Sequence, residues 1–153
     1  MMTNRKMSEL LDRLRLKNKN LSVTLDTRLR FLILPGLSQV GDAVVLASQK
    51  DLAHVKPEDF TDETGYECFV NHVHLTDHIT RRTEPSALLE QGLAFAEALA
   101  DELPRNSETE HFRVILTMEE DECTVRFHKI RASQNWLSSD LDDYEEAIGV
   151  LVT

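Results

Sequence analysis

The sequence predicts an α+β fold: a mostly antiparallel sheet of about six strands with one long amphipathic helix packed on one face. Three observations carry that expectation. Phe112, Val114, Leu116 and Met118 alternate with polar or branched residues, and the alternation resumes at Cys123, Val125 and Phe127 after the acidic tip EEDE, as in a β-hairpin. Leu88, Gly92, Phe95, Ala96, Leu99 and Leu103 recur at helical spacing, with Glu90, Gln91, Glu97, Asp101 and Glu102 off that stripe, as in a helix laid on a sheet. Strand-like runs gather on either side of this helix instead of alternating with helices, which favours α+β over a doubly wound sheet.

Taken in order, Ser8 to Leu16 places leucines at 10, 11, 14 and 16 among charges, a short helix. Residues 1–19 are expected as a basic, frayed N-terminal helix or tail on a single domain spanning 1–153. Leu21 to Leu25 and Leu29 to Leu34 read as two β-type runs closed by Pro35-Gly36, and Asp42 to Ser48 reads as a third. Gln49 to Gly65 is polar and turn-rich, a surface loop. Tyr66 to Leu75 is expected as a strand, with Asn71 beside Phe69, Val73 and Leu75 on one side and Cys68, Val70, His72 and His74 on the other. Thr83-Glu84-Pro85 opens the long helix, which runs to about Leu103 and stops before Pro104. After the hairpin, Ile130 is out of phase with Phe127, so a bulge near His128-Lys129 or a strand end is expected. Trp136, Leu137, Leu141 and Tyr144 suggest a short helix pinned to the body by its aromatic residues, and Ala147 to Val152 a final strand.

A chain of 153 residues is the size of one ordinary domain. Hydrophobic residues at 41% and charged residues at 29% are globular values. Cys68 and Cys123, without CxxC spacing, read as buried thiols in a reducing compartment, and with no run of roughly 20 apolar residues and no leader-like stretch the chain reads as cytoplasmic. The charge is divided. Met1 to Arg30 holds eight Lys or Arg against three Asp or Glu, net +5, while Phe31 to Thr153 holds nine against 24, net −15. So acidic a body repels nucleic acid and membrane surfaces and speeds encounter with basic proteins. Arg5, Lys6, Arg13, Arg15, Lys17 and Lys19 on the first helix are too few to reverse that balance.

FVNHVHLTDH is the one metal-like constellation. On a strand His72 and His74 would share a side, with His78 as a third candidate ligand and Asp77 alongside, three ligands and an open position suiting a catalytic zinc. No carboxylate falls where such a motif usually supplies one, and hydrogen-bonded histidines on a polar sheet face are the plainer reading. GxSxG, HExxH, P-loop and GxGxxG motifs are absent, and neither cysteine follows a turn that would expose it as a nucleophile. No cofactor is expected, and the chain is read as not an enzyme. The candidate partner-binding residues are Glu119, Glu120, Asp121 and Glu122 at the hairpin tip, and Trp136, Asp140, Asp142, Asp143 and Tyr144 in the acidic segment that continues to Glu145 and Glu146. Aromatic anchors ringed by charge have the composition of a binding hot spot.

The stretch ECTVRFHKIRASQNWLSSDLDDYEEAIGVLV resembles immunity protein family ten of bacterial polymorphic toxin systems. The features are the CTVRFH strand at Cys123 to His128, Trp136-Leu137, the acidic Asp140 to Tyr144, and the apolar Ile148 to Val152. FVNHVHL at Phe69 to Leu75 is similar as well, so the likeness spans Tyr66 to Thr153 and leaves the N-terminal third unplaced. It implies a small cytoplasmic α+β protein that binds and neutralises a cognate toxin without chemistry, the toxin in many cases a basic nuclease. Two other readings stand beside it. A type III secretion-type chaperone binding an effector segment would share the size, low pI and LLDRLRL helix, and a small metalloenzyme would use His72, His74 and His78.

Overall fold

The computed structural model describes residues 1–17, 23–51, 54–79, 83–103 and 110–153. It has β1 (Met2–Thr3), α1 (Arg5–Lys17), α2 (Thr27–Ile33), β2 (Leu37–Val40), β3 (Ala43–Leu46), α3 (Glu63–Val70), β4 (Val73–His74), α4 (Pro85–Glu102), β5 (Phe112–Glu119), β6 (Glu122–Lys129) and β7 (Ala147–Val152). Five strands form an antiparallel sheet in the order β1-β7-β5-β6-β4, and β2 and β3 form a separate antiparallel ribbon. The α+β class and the antiparallel sheet are as expected. The helices differ: four α-helices are present among the described residues, and α4, the longest, shares its work with the others.

The hairpin forms as its alternation predicts, with Glu119 opposite Glu122 and Phe112 opposite Lys129 in unbroken register. Hence no bulge interrupts His128-Lys129; the strand ends there instead. Phe112, Val114, Leu116, Met118, Cys123, Val125 and Phe127 point to one face, where they join buried residues of α1, α2 and α4. There α4 lies against β5 and β6, α1 against β7, and α2 against α4. The close approach of α4 is permitted by Gly92, where a Cβ would lie 2.5 Å from Cys123 Sγ and 2.8 Å from Leu116 Cδ1. On the opposite face Ile115, Ile148 and Val150 are covered by Leu137, Leu141 and Tyr144. The short helix expected there is only a 3-10 turn over Leu141–Asp143, but its apolar side chains do pin the segment to the sheet.

Two expected strands are helices. Leu29 to Leu34 lies in and just beyond α2, which Asp26 caps by accepting from Arg28 N at 2.8 Å, and its Leu29 and Ile33, one turn apart, are buried. Pro35 and Gly36 end it, Gly36 taking the left-handed φ of 77°. Of the run Leu21 to Leu25, residues 21 and 22 lie outside the described residues and the remainder is not strand. Tyr66 to Leu75 is the larger correction. Asp62 accepts from Gly65 N at 2.8 Å and opens α3, which consumes the run as far as Val70 and leaves only Val73–His74 as strand. Alternation of β-type residues favoured a strand, whereas the Asp cap and the i, i+3, i+4 spacing of buried Thr64, Glu67 and Cys68 decide for a helix. The long loop expected from Gln49 to Gly65 therefore gives way to helix at Glu63, with residues 52 and 53 outside the described set. In its place Leu37–Val40, unremarked in the sequence, pairs with Ala43–Leu46 across a turn at Gly41, φ 60°.

Instead of fraying, the N-terminus is tied down. Met2 and Thr3 pair with Val150 and Gly149 as the sheet's edge. The buried Asn4 accepts from Met7 N and Ile148 N, both at 3.0 Å, and donates to Glu146 O at 2.7 Å, which caps α1 and fastens it to β7 with one side chain.

A second buried polar group joins the ribbon to the main sheet. Glu67 Oε1 accepts from Val44 N at 2.7 Å and Oε2 from Lys129 N at 2.9 Å, while the Arg131 guanidinium donates to both oxygens at 3.0 and 2.8 Å. One turn on, Asn71 accepts from Leu46 N at 2.9 Å and donates to Val44 O and Phe127 O at 3.0 and 3.1 Å.

Gly92→Ala should lower the melting temperature, because overpacking costs about 1–3 kcal/mol against a helix-propensity gain of about 1 kcal/mol; an unchanged or raised midpoint would show that α4 can back away from the sheet. Glu67→Gln keeps the shape but removes the buried counter-charge of Arg131, leaving it only the exposed Asp42 carboxylate at 4.0 Å, which should lower unfolding free energy in urea by about 3–5 kcal/mol. Arg131→Met added to Glu67→Gln should recover part of that loss.

Candidate functional site

The hairpin tip is a two-residue turn at Glu120 and Asp121, and Glu120 adopts the left-handed φ of 47°. Next to it lies the end of the acidic segment. Glu119, Glu120, Glu145 and Glu146, together with Lys6, Glu9 and Arg13 of α1, line one groove of about 370 Å³ floored by Leu10, Met118 and Ala147. A second hollow of about 280 Å³ continues it along α1 toward the start of α4, with Leu10, Leu14, Pro85, Leu89 and Met118 in its wall. Both cations of the groove already have neighbours. Arg13 faces Glu9 across one helical turn at 3.9 Å, and Lys6 Nζ donates to the Glu145 carbonyl. The rim is thus carboxylate-rich and the floor apolar.

The other candidate residues are placed differently. Asp140 accepts from Asp142 N at 3.0 Å, Asp142 from Arg5 N at 2.8 Å, and Asp143 from Ser138 Oγ at 2.9 Å, while the Tyr144 hydroxyl accepts from Ser138 N at 2.8 Å. Each stabilises the 138–144 loop or the start of α1, so these side chains are structural in the first instance. Trp136 is 41% exposed and sits on the far face of the sheet, its ring centroid 5.3 Å from the Arg126 guanidinium carbon. Trp136 and Tyr144 therefore do not ring the acidic groove as their place in the sequence suggested. Lys6, Glu9 and Arg13 were missed as groove residues; read alone, a charged helix face carries no signal of what it packs beside.

His72 and His74 do come together, through the α3-to-β4 corner, with ring centroids 4.3 Å apart. Their nitrogens are in use. Arg126 Nη2 lies 2.8 Å from His72 Nε2, and because a guanidinium only donates, His72 is the acceptor and carries its proton on Nδ1. His74 Nδ1 pairs with Glu122 Oε1. His78 ends the 3-10 turn Leu75–Asp77. Among the described residues no group of three or more His, Cys, Asp or Glu is arranged to hold a metal ion. Burial first, then the positive charges of Arg126 and His74, pushes His72 down to about 4. Burial pushes both Cys68 and Cys123 up to about 12, away from a reactive thiolate.

A family model matches residues 2–153, that of the uncharacterized protein PM0498 family. The chain belongs to that family. None of the curated proteins and none of the solved structures gives a match. No helix among the described residues is long and apolar enough to cross a membrane.

The His72 environment sets a pH dependence. The unfolded imidazole protonates near its ordinary value of 6.5, whereas the folded one resists protonation until about 4. As pH falls from 7 to 5 the unfolded state therefore takes up the proton and folding stability declines. Burial pulls His128 down also, so it acts in the same sense. Urea midpoints measured at pH 7 and pH 5 should show the decline, and His72→Gln should reduce it; a midpoint that rises on acidification contradicts the neutral assignment.

Proposed function

We propose that the chain is a non-enzymatic binding protein of the immunity type, which neutralises a basic protein toxin by seating a cationic segment of it in the groove between α1, the β5–β6 tip and the start of β7. The observation that supports this most is the convergence of Glu119, Glu120, Glu145 and Glu146, from two distant parts of the chain, around the apolar floor of Leu10, Met118 and Ala147. Lys and Arg side chains fit such a site with both their parts: the charged heads meet the rim and the hydrocarbon stems lie along the floor. An overall charge of −10 adds long-range attraction for a cationic toxin domain. The resemblance of Cys123–His128 and Ile148–Val152 to immunity protein family ten points to the same role. The metalloenzyme reading draws less support, since the ring nitrogens of His72 and His74 facing Arg126 and Glu122 are already hydrogen-bonded.

The test is co-expression with the product of the adjacent toxin-like gene. A complex that purifies intact and protects the host supports the proposal; absence of both complex and protection defeats it. Within the complex, Glu119→Lys, Glu120→Lys, Glu145→Lys and Glu146→Lys combined should weaken binding by at least tenfold, mostly through slower association, and the native complex should weaken with added salt. Equal affinity for the reversed variant would move the interface elsewhere.

A further inference from the structure

The far face of the sheet holds a third cavity, of different character. It measures about 330 Å³ and is lined by Met2, Arg113, Asn135, Leu137, Ser138, Ser139, Leu141 and Val150. Arg113 comes from β5, Val150 from the paired β7, and Met2 lies opposite Val150 on β1, so the floor is rigid sheet and the roof is the 135–141 loop. No carboxylate is among its lining residues within the described part of the chain, which has 27 Asp and Glu in all.

Arg113 is half-buried, and its Nε is buried with no hydrogen-bond partner. No ion pair or hydrogen bond engages its guanidinium among the described residues. Beside it on β6, cross-strand, is His128, 1% exposed, whose Nδ1 pairs with Lys129 O while its Nε2 is buried and unpartnered. Two other arginines are held differently. Arg131 is held by Glu67, and Arg126 by His72 and Trp136. The nearby acids are engaged locally, Asp143 by Ser138 Oγ and Asp140 by Asp142 N. A buried guanidinium N–H without an acceptor is costly, and a planar carboxylate bridging Nε and one Nη would supply it with one.

We propose that this cavity binds a small amphipathic monocarboxylate, its carboxylate on Arg113 and its apolar body against Met2, Leu137, Leu141 and Val150. A single cation suits a single negative charge. A phosphate dianion would find no second cation among the described lining residues, and a purely apolar guest would leave Arg113 Nε without an acceptor. Ser139 and Asn135, from the loop, add neutral polar groups to the lining. The site lies across the sheet from the acidic groove and does not depend on it.

Titration of the full chain with acetate, butanoate and hexanoate, followed by amide and arginine Nε–H NMR, tests the assignment. Saturable binding should appear, tightening about fourfold per added methylene as apolar surface is covered, with shifts centred on Arg113 and residues 135–141. Hexanamide, the same shape without charge, should bind roughly tenfold to a hundredfold more weakly, as should hexanoate to Arg113→Gln. The amide control uses the unaltered chain, so the result stands even if the variant folds poorly. Linear shifts without saturation, equal binding of hexanamide, shifts centred elsewhere, or an adventitious preference for inorganic phosphate over every carboxylate would overturn it.

Discussion

The structure depends on two side chains four residues apart. Glu67 and Asn71 sit one above the other on α3, roughly 6 Å apart at that helical spacing. Along a strand, groups that face the same edge recur every second residue, roughly 6.6 Å. The two repeats match, so this single pair of side chains serves Val44 and Leu46 on the edge of β3 and Phe127 and Lys129 on the edge of β6. Both edges would otherwise present open hydrogen-bonding groups, because β4 covers β6 only at Val125 and Thr124 and β2 lies on the other side of β3. A helix edge-on to two strands here replaces the strand that would have joined two sheets into one.

Arg131 completes this arrangement from a third direction. Glu67 is fully buried, and a carboxylate there is tolerable only with its hydrogen bonds satisfied and its charge met. The guanidinium supplies both, and by donating also to Asp42 O at 2.9 Å it ties down the turn between β2 and β3. The same geometry positions the histidines. With α3 held at Glu67 and Asn71, the chain must leave the helix at Asn71 and enter β4 at Val73, which swings His72 and His74 over β6, His72 against Arg126 and His74 against Glu122. Their proximity comes from the corner, since a continuous strand is not what carries them.

What could be read in the sequence was whatever depended on local period. The β5–β6 hairpin, β7 and α4 each bury one face over many residues, so alternation or the helical stripe is strong and nothing competes with it. Tyr66 to Leu75 failed for the opposite reason. Tyr, Cys, Phe and Val carry β preference, but the deciding features were the cap at Asp62 and a buried Glu-Asn pair whose partners lie on β3 and β6, distant in the chain. Leu29 to Leu34 was likewise decided by α4, against which Leu29 and Ile33 pack. The histidine pair was legible as a pair, though its partners Arg126 and Glu122 were not. The acidic segment was legible as charge, but which of its residues face a groove and which close a loop is set by Asn4 and Arg5 reaching it from the other end of the chain.

Net charge gives a misleading picture of the surface of this protein. Glu9, Glu119, Glu120, Glu145 and Glu146 gather on the α1 side of the sheet, whereas the far-face positions of β5 and β6 carry Arg113 and Arg126. A partner arriving from solution responds first to the summed field, which favours a basic one, but at contact distance the local groups decide. On the groove side local and global signs agree, which suits fast capture of a cationic segment. Across the sheet they oppose each other, so any anion that binds there must be drawn by short-range hydrogen bonds to Arg113 and by apolar contact, and must be small enough to enter a cavity roofed by residues 135–141. The two faces of the sheet thereby differ in local charge, a difference that the composition alone would merge into one value.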